Sequence, residues 1–595
     1  MEYISNKKFA LAGINNDSEK LFVSLWAELF NPDTIDTYRT RVMNARSILH
    51  EIEEVVSDRL VEQIDLKNVQ FVCEEAIRLL SNDRVCEKYF KDKTKFVVRA
   101  LKKARDEAKG SMDLISLSKK VEILRGDLDV KYLSLLIQDL QSSIFDLPDL
   151  EAIVRLTNSL ATELIWRGFS IQYLQRRVLL LLDTQQTRTF RERWTQLLLD
   201  IQQPRRDFEV SLKFSGPADL GQVGKVFDIE IGTAYTNKLG KQQEDDFAAF
   251  PGSLVATIAG VRGLDPFSAA QESLYRFWLL VDLVRFEYRK SEVLLTPRAI
   301  VLDRTARNAF LVDLNPRPIG FQSAGSIDRL GKRIQSFGAV LDATAKRVDD
   351  LSRHRLRNSF RYFRMSLEAR VPESRFLHCW IALEFLLKTG AQTSIIAPII
   401  QFVPKVLALQ YLKKLLKDLS ANIFRCNVKA YEIEKAGIRV VARGVLELDD
   451  LLGTLVDTDR FTVLSAASTN PLLTYRLNDL RAAFSDPRKM RERLTHHLED
   501  LKWHLQRMYR VRNKIVHSAS VGVNLAQLES NLSYYFTTVF NNLLFIAQNS
   551  SSQTTIEQML MKQDAAFDYL FDQIEAGQPS GDLLLRPKIT GIDID

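Results

Sequence analysis

Between positions 507 and 518 the sequence gathers Arg507, Arg510, Arg512, Asn513, Lys514 and His517. Arginine supplies a permanent planar cation that matches phosphate oxygens, histidine exchanges a proton near neutral pH, and asparagine orients either. These residue types suit chemistry at a phosphate, and none of it calls for a metal.

The element that must position them is a helix. Met490, Leu494, Leu498, Leu501, Leu505, Met508, Val511 and Ile515 recur every three or four residues, and neither Pro nor Gly falls between Pro487 and Gly522. That periodicity predicts one buried face on what reads as the longest helix of the chain. At about 100° per residue, Arg510, Asn513, Lys514 and His517 share another face, while Arg512 lies on the flank near Leu505 and Val516. A cation turned partly toward apolar neighbours is costly without a partner, and Glu384, on a mostly apolar helix, is the support the sequence offers. His517 falls in the last turn, where the helix dipole favours an imidazolium. The plain alternative is a capping or core histidine at 517 and a structural salt bridge from Arg512.

Arg512-Asn513-Lys514-Ile515-Val516-His517 resembles the R-(polar)-x-x-x-H signature of HEPN domains, all-helical modules found in RNA-cutting toxins and antiviral defence proteins. A second segment, Arg375-Phe376-Leu377-His378-Cys379-Trp380-Ile381-Ala382-Leu383-Glu384-Phe385-Leu386-Leu387, is similar to the W-x-A-L-E-x-L helix common in that family. The resemblance covers the last third to two fifths of the chain. It implies metal-independent cleavage of single-stranded RNA or tRNA leaving a 2′,3′-cyclic phosphate. His517 would handle protons, Arg512 would bind the phosphate, and Asn513 would orient, with Lys514 and Arg510 supporting. One histidine does not easily serve as acid and base in a single step, so a homodimer with facing motif helices is the economical arrangement. The resemblance further implies a toxin-like role in antiphage defence, with a phage trigger or an antitoxin as partner.

The totals agree with an ordinary globular protein. At 595 residues, 46% hydrophobic and 26% charged, the chain holds several domains, each able to bury a core. A net charge of +7 is compatible with an RNA partner without demanding one. Cys73, Cys86, Cys379 and Cys426 show no C-x-x-C and no zinc spacing, which reads as free thiols in a reducing cytoplasm. The N-terminus lacks an apolar signal core. The most apolar window, 394–412, is interrupted by Pro398, Pro404 and Lys405 and reads as a buried helix rather than a membrane span.

The predicted fold class is mainly α. Residues 1–203 read as a helical region and 204–320 as a small α/β (α+β) unit. Residues 321–576 read as a HEPN-like helical domain, and 577–595 as a loose tail. Strand character falls at 208–214, 227–231, 254–259, 298–303 and 309–313, with a helix opening at Asp265-Pro266. Residues 315–320, rich in Pro, form the expected linker.

Arg357, Arg361 and Arg364, interleaved with Phe360, Tyr362 and Phe363, suit single-stranded RNA. The alternative is a helix with its basic side in solvent, which also explains 91–103 and Arg176-Arg177. His496, His497 and His504, with Glu499 and Asp500, match no metal-ligand spacing. Phosphate loops, dinucleotide fingerprints and nucleophile elbows are missing, which disfavours ATP hydrolysis, Rossmann cofactors and α/β-hydrolase chemistry. No cofactor is expected. The rival to the nuclease reading is a non-catalytic RNA-binding or scaffold protein that uses the helical domain to dimerise.

Overall fold

In the computed structural model, the residues described are 4–31, 34, 43–61, 64–107, 110–185, 188–216, 220–235, 239–287, 292–314, 346–369, 371–388, 396–442, 444–518, 525–550, 552–577 and 581–585. The linker expected at 315–320 lies outside them. The chain is mainly helical with one five-stranded antiparallel sheet. Among the described residues no helix is long and apolar enough to cross a membrane.

Polar residues cut the first region into helices where their side chains cap backbone N–H groups. Asn44 and Thr189 each build a capping box at the start of Ala45–Leu60 and Phe190–Gln202. Asp83 ends Leu66–Asn82 and caps Arg84–Tyr89 through the Cys86 amide, 2.9 Å away. Gly110, whose own amide donates to Asp113, precedes Ser111–Phe145, which at 35 residues outruns the 32-residue helix Pro487–Ser518. The motif helix is therefore not the longest of the chain. Gly126 sits inside Ser111–Phe145 without breaking it. A mid-helix glycine costs about 1 kcal/mol, less than a single fully buried leucine contributes, and this helix buries Leu117, Leu124, Leu128, Leu136 and Leu140.

The sheet comprises β1 (Arg206–Ser215), β2 (Ile229–Gly232), β3 (Leu254–Gly263), β4 (Leu294–Asp303) and β5 (Asn308–Asp313), in the order β2-β3-β1-β4-β5. The alternating residues Phe208, Val210, Leu212 and Phe214 of β1 are all buried. β2 starts two residues later than its apolar run because 225–227 form a 3-10 turn, which Asp228 closes in the left-handed region at φ 54°. Pro266–Glu287 packs on the sheet; its first turn is capped by the buried Asp265, which accepts from the amides of Phe267 and Ser268. Asp265 also accepts from the Ser170 amide and hydroxyl at 2.8 and 2.7 Å, tying sheet unit and helical region together.

The core divides in two, and the division cuts across 321–576. One cluster joins the N-terminal helices and sheet to residues 408–494, where Arg476 forms a buried ion pair with Glu28. The other joins Asp350–Glu368, Pro372–Leu387, Ile396–Leu409, Leu525–Asn549 and the first half of Ile556–Glu575. Pro487–Ser518 is the spine of both. Its Met490 and Leu494 belong to the first core, and its Leu501, Leu505 and Met508 to the second. Within the stretch 577–595 read as a tail, Gly581–Leu585 is a short helix that buries Leu583, Leu584 and Leu585, because three adjacent leucines gain more from burial than from solvent.

Candidate functional site

Pro487–Ser518 carries the motif in its last turns, held against Pro372–Leu387 by its apolar face. Trp380, fully buried, donates its indole N–H to Glu384 Oε1 at 2.5 Å, and its ring lies 6.0 Å from that of Tyr509. That bond fixes one carboxylate oxygen beside the motif helix. Arg512 Nε lies 3.6 Å from the same oxygen, with the two side chains only 21% and 16% exposed. Arg512 Nη1 donates to Asn513 Oδ1 at 3.3 Å, while Nε is buried without a hydrogen bond. The structure thus brings Arg512, Asn513 and Glu384 together.

His517 stands apart from them. It is exposed in the last turn and makes no hydrogen bond or ion pair among the described residues. Five residues separate it from Arg512, or about 140° around the helix, whereas Asn513 lies within about 40° of it. Asn513, Val516 and His517 form the open edge, Val516 being 50% exposed.

Arg510 and Lys514 are engaged elsewhere. With Arg507 they form a basic stripe at i, i+3 and i+7, and it meets an acidic stripe of the same spacing, Glu51, Glu54 and Asp58, on Ala45–Leu60. Arg507 Nε and Nη2 donate to Glu51 Oε1 and Oε2 at 3.0 and 2.8 Å, and Nη2 also to Glu75 at 2.5 Å. Arg510 donates to Glu51, and Lys514 to Glu54, with Asp58 at 3.1 Å. Burial alone would raise the Glu51 carboxyl, but Arg507 and Arg510 outweigh it and hold it down at about 2. Glu75 goes the other way: burial raises it, and Arg507, with a smaller contribution from Arg510, does not offset that beside Glu51. Nothing in the local sequence signals this contact. The acidic stripe is legible on its helix, but its partner is not.

Behind the stripe lies a hollow of 870 Å³ between the N-terminal helices and 471–535, lined among others by Glu75, Arg78, Arg493, His496, His504 and Arg507. The three histidines considered as metal ligands occupy different settings around it. His497 stacks on Tyr411 at 3.9 Å, and His504 Nδ1 meets the Tyr535 hydroxyl at 2.9 Å. Glu499 and Asp500 hold Arg78, which lies 4.2 Å over Trp503. Burial, then the charge of Arg507, push His504 down to about 3.

Comparison with protein-family models, with curated proteins and with solved structures finds no match to this chain.

On Asp350–Glu368, Arg357, Arg361 and Arg364 share one exposed face. Arg364 pairs with Glu368 at 2.6 Å, while Arg357 and Arg361 have no partner among the described residues. The interleaved aromatics face inward: Tyr362 stacks on Phe385 at 5.2 Å and Phe363 on Phe536 at 4.7 Å. Arg355 is also internal, bound to Glu557 and to the Phe385 and Leu386 carbonyls. This face offers cations without stacking platforms, apart from the half-exposed Phe360.

Proposed function

We propose that the chain is a metal-independent endoribonuclease acting on single-stranded RNA or tRNA through a site built from two copies of Arg512, Asn513 and His517. The observation that carries this reading is the arrangement at the end of the motif helix. Arg512 is held by the Glu384 carboxylate and bonded to Asn513, while the exposed His517, with no bond of its own among the described residues, stands one turn on from Asn513 and within about 40° of it around the helix.

In the reaction a ribose 2′-oxygen attacks the adjacent phosphorus, its proton passing to a neutral His517. The bond to the 5′-oxygen breaks as the protonated His517 of the partner subunit gives that oxygen a proton. The products are a 2′,3′-cyclic phosphate and a 5′-hydroxyl. Arg512 balances the charge that builds on the non-bridging oxygens. The two histidines serve as base and acid, a division one residue does not supply alone. Antiphage defence is the role we attach to this activity, with the N-terminal region as its restraint. Residues 408–494 share a core with that region, so a fragment starting near 331 would expose leucines, and restraint has to be tested on the full chain.

A second reading draws on the same pair. Arg512 already has Glu384 within one chain, as a structural ion pair would, and the bundle would then serve only to dimerise and bind RNA. Specific activity of the purified protein decides between them. A two-copy site makes it rise with protein concentration through the range of dimerisation and vanish in His517→Ala. Activity that ignores concentration or survives that change contradicts the proposal.

A further inference from the structure

A second hollow, of 460 Å³, lies where the N-terminal helices meet the sheet, far in sequence from the motif. Its wall is made by Arg205, Arg262, Arg276, Glu272 and the bare backbone of Gly168 and Gly260. Gly168 closes Leu150–Arg167 in the left-handed region at φ 102°. Gly260 takes φ 67° where the β1–β3 register shifts, Phe208 pairing with Val261 but Val210 with Ile258. A Cβ at 260 would find no heavy atom within 4 Å. The bulge bends β3 at the rim of the hollow and leaves its backbone accessible.

The charges here do not balance. Arg276 is paired with Glu272 at 3.0 Å. Arg205 and Arg262 are exposed and have no ion pair among the described residues; Asp207, across the strands from Arg262, forms none with it. Outside the lining, Arg176 sits 4.6 Å over the Phe267 ring in the first turn of Pro266–Glu287. Asp265 already satisfies that helix start, so the excess belongs to the arginines. Like charges gathered at one hollow repel unless an anion joins them, and planar guanidinium forks match phosphate oxygens two at a time. The volume suits a small molecule of nucleotide size.

We propose that this hollow binds a phosphorylated small molecule, gripped by Arg205 and Arg262. The inference goes beyond the nuclease reading and does not depend on it. The test is calorimetric titration of the full chain with inorganic pyrophosphate as the probe, repeated in the presence of single-stranded RNA lacking terminal phosphates. Saturable binding is expected, weakened at least about tenfold by Arg205→Glu with Arg262→Glu, and undisturbed by the RNA. The melting temperature without probe should stay unchanged. Should the double variant fold poorly, Arg205→Gln and Arg262→Gln singly carry the same expectation at smaller size. Absence of pyrophosphate binding, or binding indifferent to these arginines, overturns the proposal. So does displacement by the RNA, which would make the surface a nucleic-acid strip.

Discussion

Arg507 and Glu51, 456 residues apart, form a buried two-pronged ion pair with bonds of 3.0 and 2.8 Å. Glu51 also takes Arg510, so two buried guanidiniums on the motif helix share one carboxylate. Removing one partner from such a pair leaves uncompensated buried charge and costs about 3–5 kcal/mol. Glu51→Gln should therefore lower the first thermal transition by many degrees, and Glu51→Leu combined with both Arg507→Met and Arg510→Met should recover much of the loss. A drop of less than about 1 kcal/mol in Glu51→Gln would mean that the stripes touch without bearing on stability.

His504 sets an acid sensitivity. Its folded value of about 3 lies below the ordinary 6.5 or so. Unfolding therefore takes up a proton between those limits, and stability falls as pH is lowered from about 6.5 toward 3, by at most about 1.4 kcal/mol per pH unit. Glu51 adds its own loss only below about 4.3, because its folded value of about 2 is depressed. His504→Gln should flatten urea midpoints between pH 6.5 and 4.5. An unchanged slope there would assign the acid sensitivity to other groups.

Glu384 is read as a positioning residue for Arg512. Glu384→Gln keeps the shape and an acceptor for the Trp380 indole but removes the charge. The expected result is a fall of about tenfold or more in kcat, with KM for RNA nearly constant and the shape of the pH profile kept. A change in KM alone would show that Glu384 serves RNA binding instead.

The exposed pair Arg357 and Arg361 should contact the RNA backbone. Reversing both to Glu is expected to weaken RNA binding and reduce its dependence on salt by about 1.4 in log–log slope, roughly 0.7 for each lost phosphate contact. Stability should move by no more than about 0.5 kcal/mol, since both are on the surface. Filter binding across a salt series measures it, and an unchanged slope would leave this face as solvated helix.

Local rules carried much of the fold. The five strands fall on short apolar runs, of which β1 alternates most plainly, and the start of the motif helix follows from Pro487 and its course from a 3.6-residue apolar period. The contact of Arg512 with Glu384 was legible because a half-buried cation calls for a carboxylate. Tertiary choices were not legible. The apolar faces within 411–484 announce burial without saying that they pack on the N-terminal helices. Arg355 looks like its exposed neighbours in sequence, yet it is buried on Glu557. The acidic stripe 51–58 could have met any basic face, and its choice of Arg507, Arg510 and Lys514 is settled only by packing.

The central claim is that Arg512 and His517 cut RNA, and end-group analysis after incubation with RNA in excess EDTA tests it most directly. Wild-type protein should leave 2′,3′-cyclic phosphates and 5′-hydroxyls, and Arg512→Ala and His517→Ala should each lose at least about a hundredfold in rate while folding and dimerising normally. Equal cleavage by all three proteins, or none by a wild type whose expression also leaves growth unaffected, would contradict it.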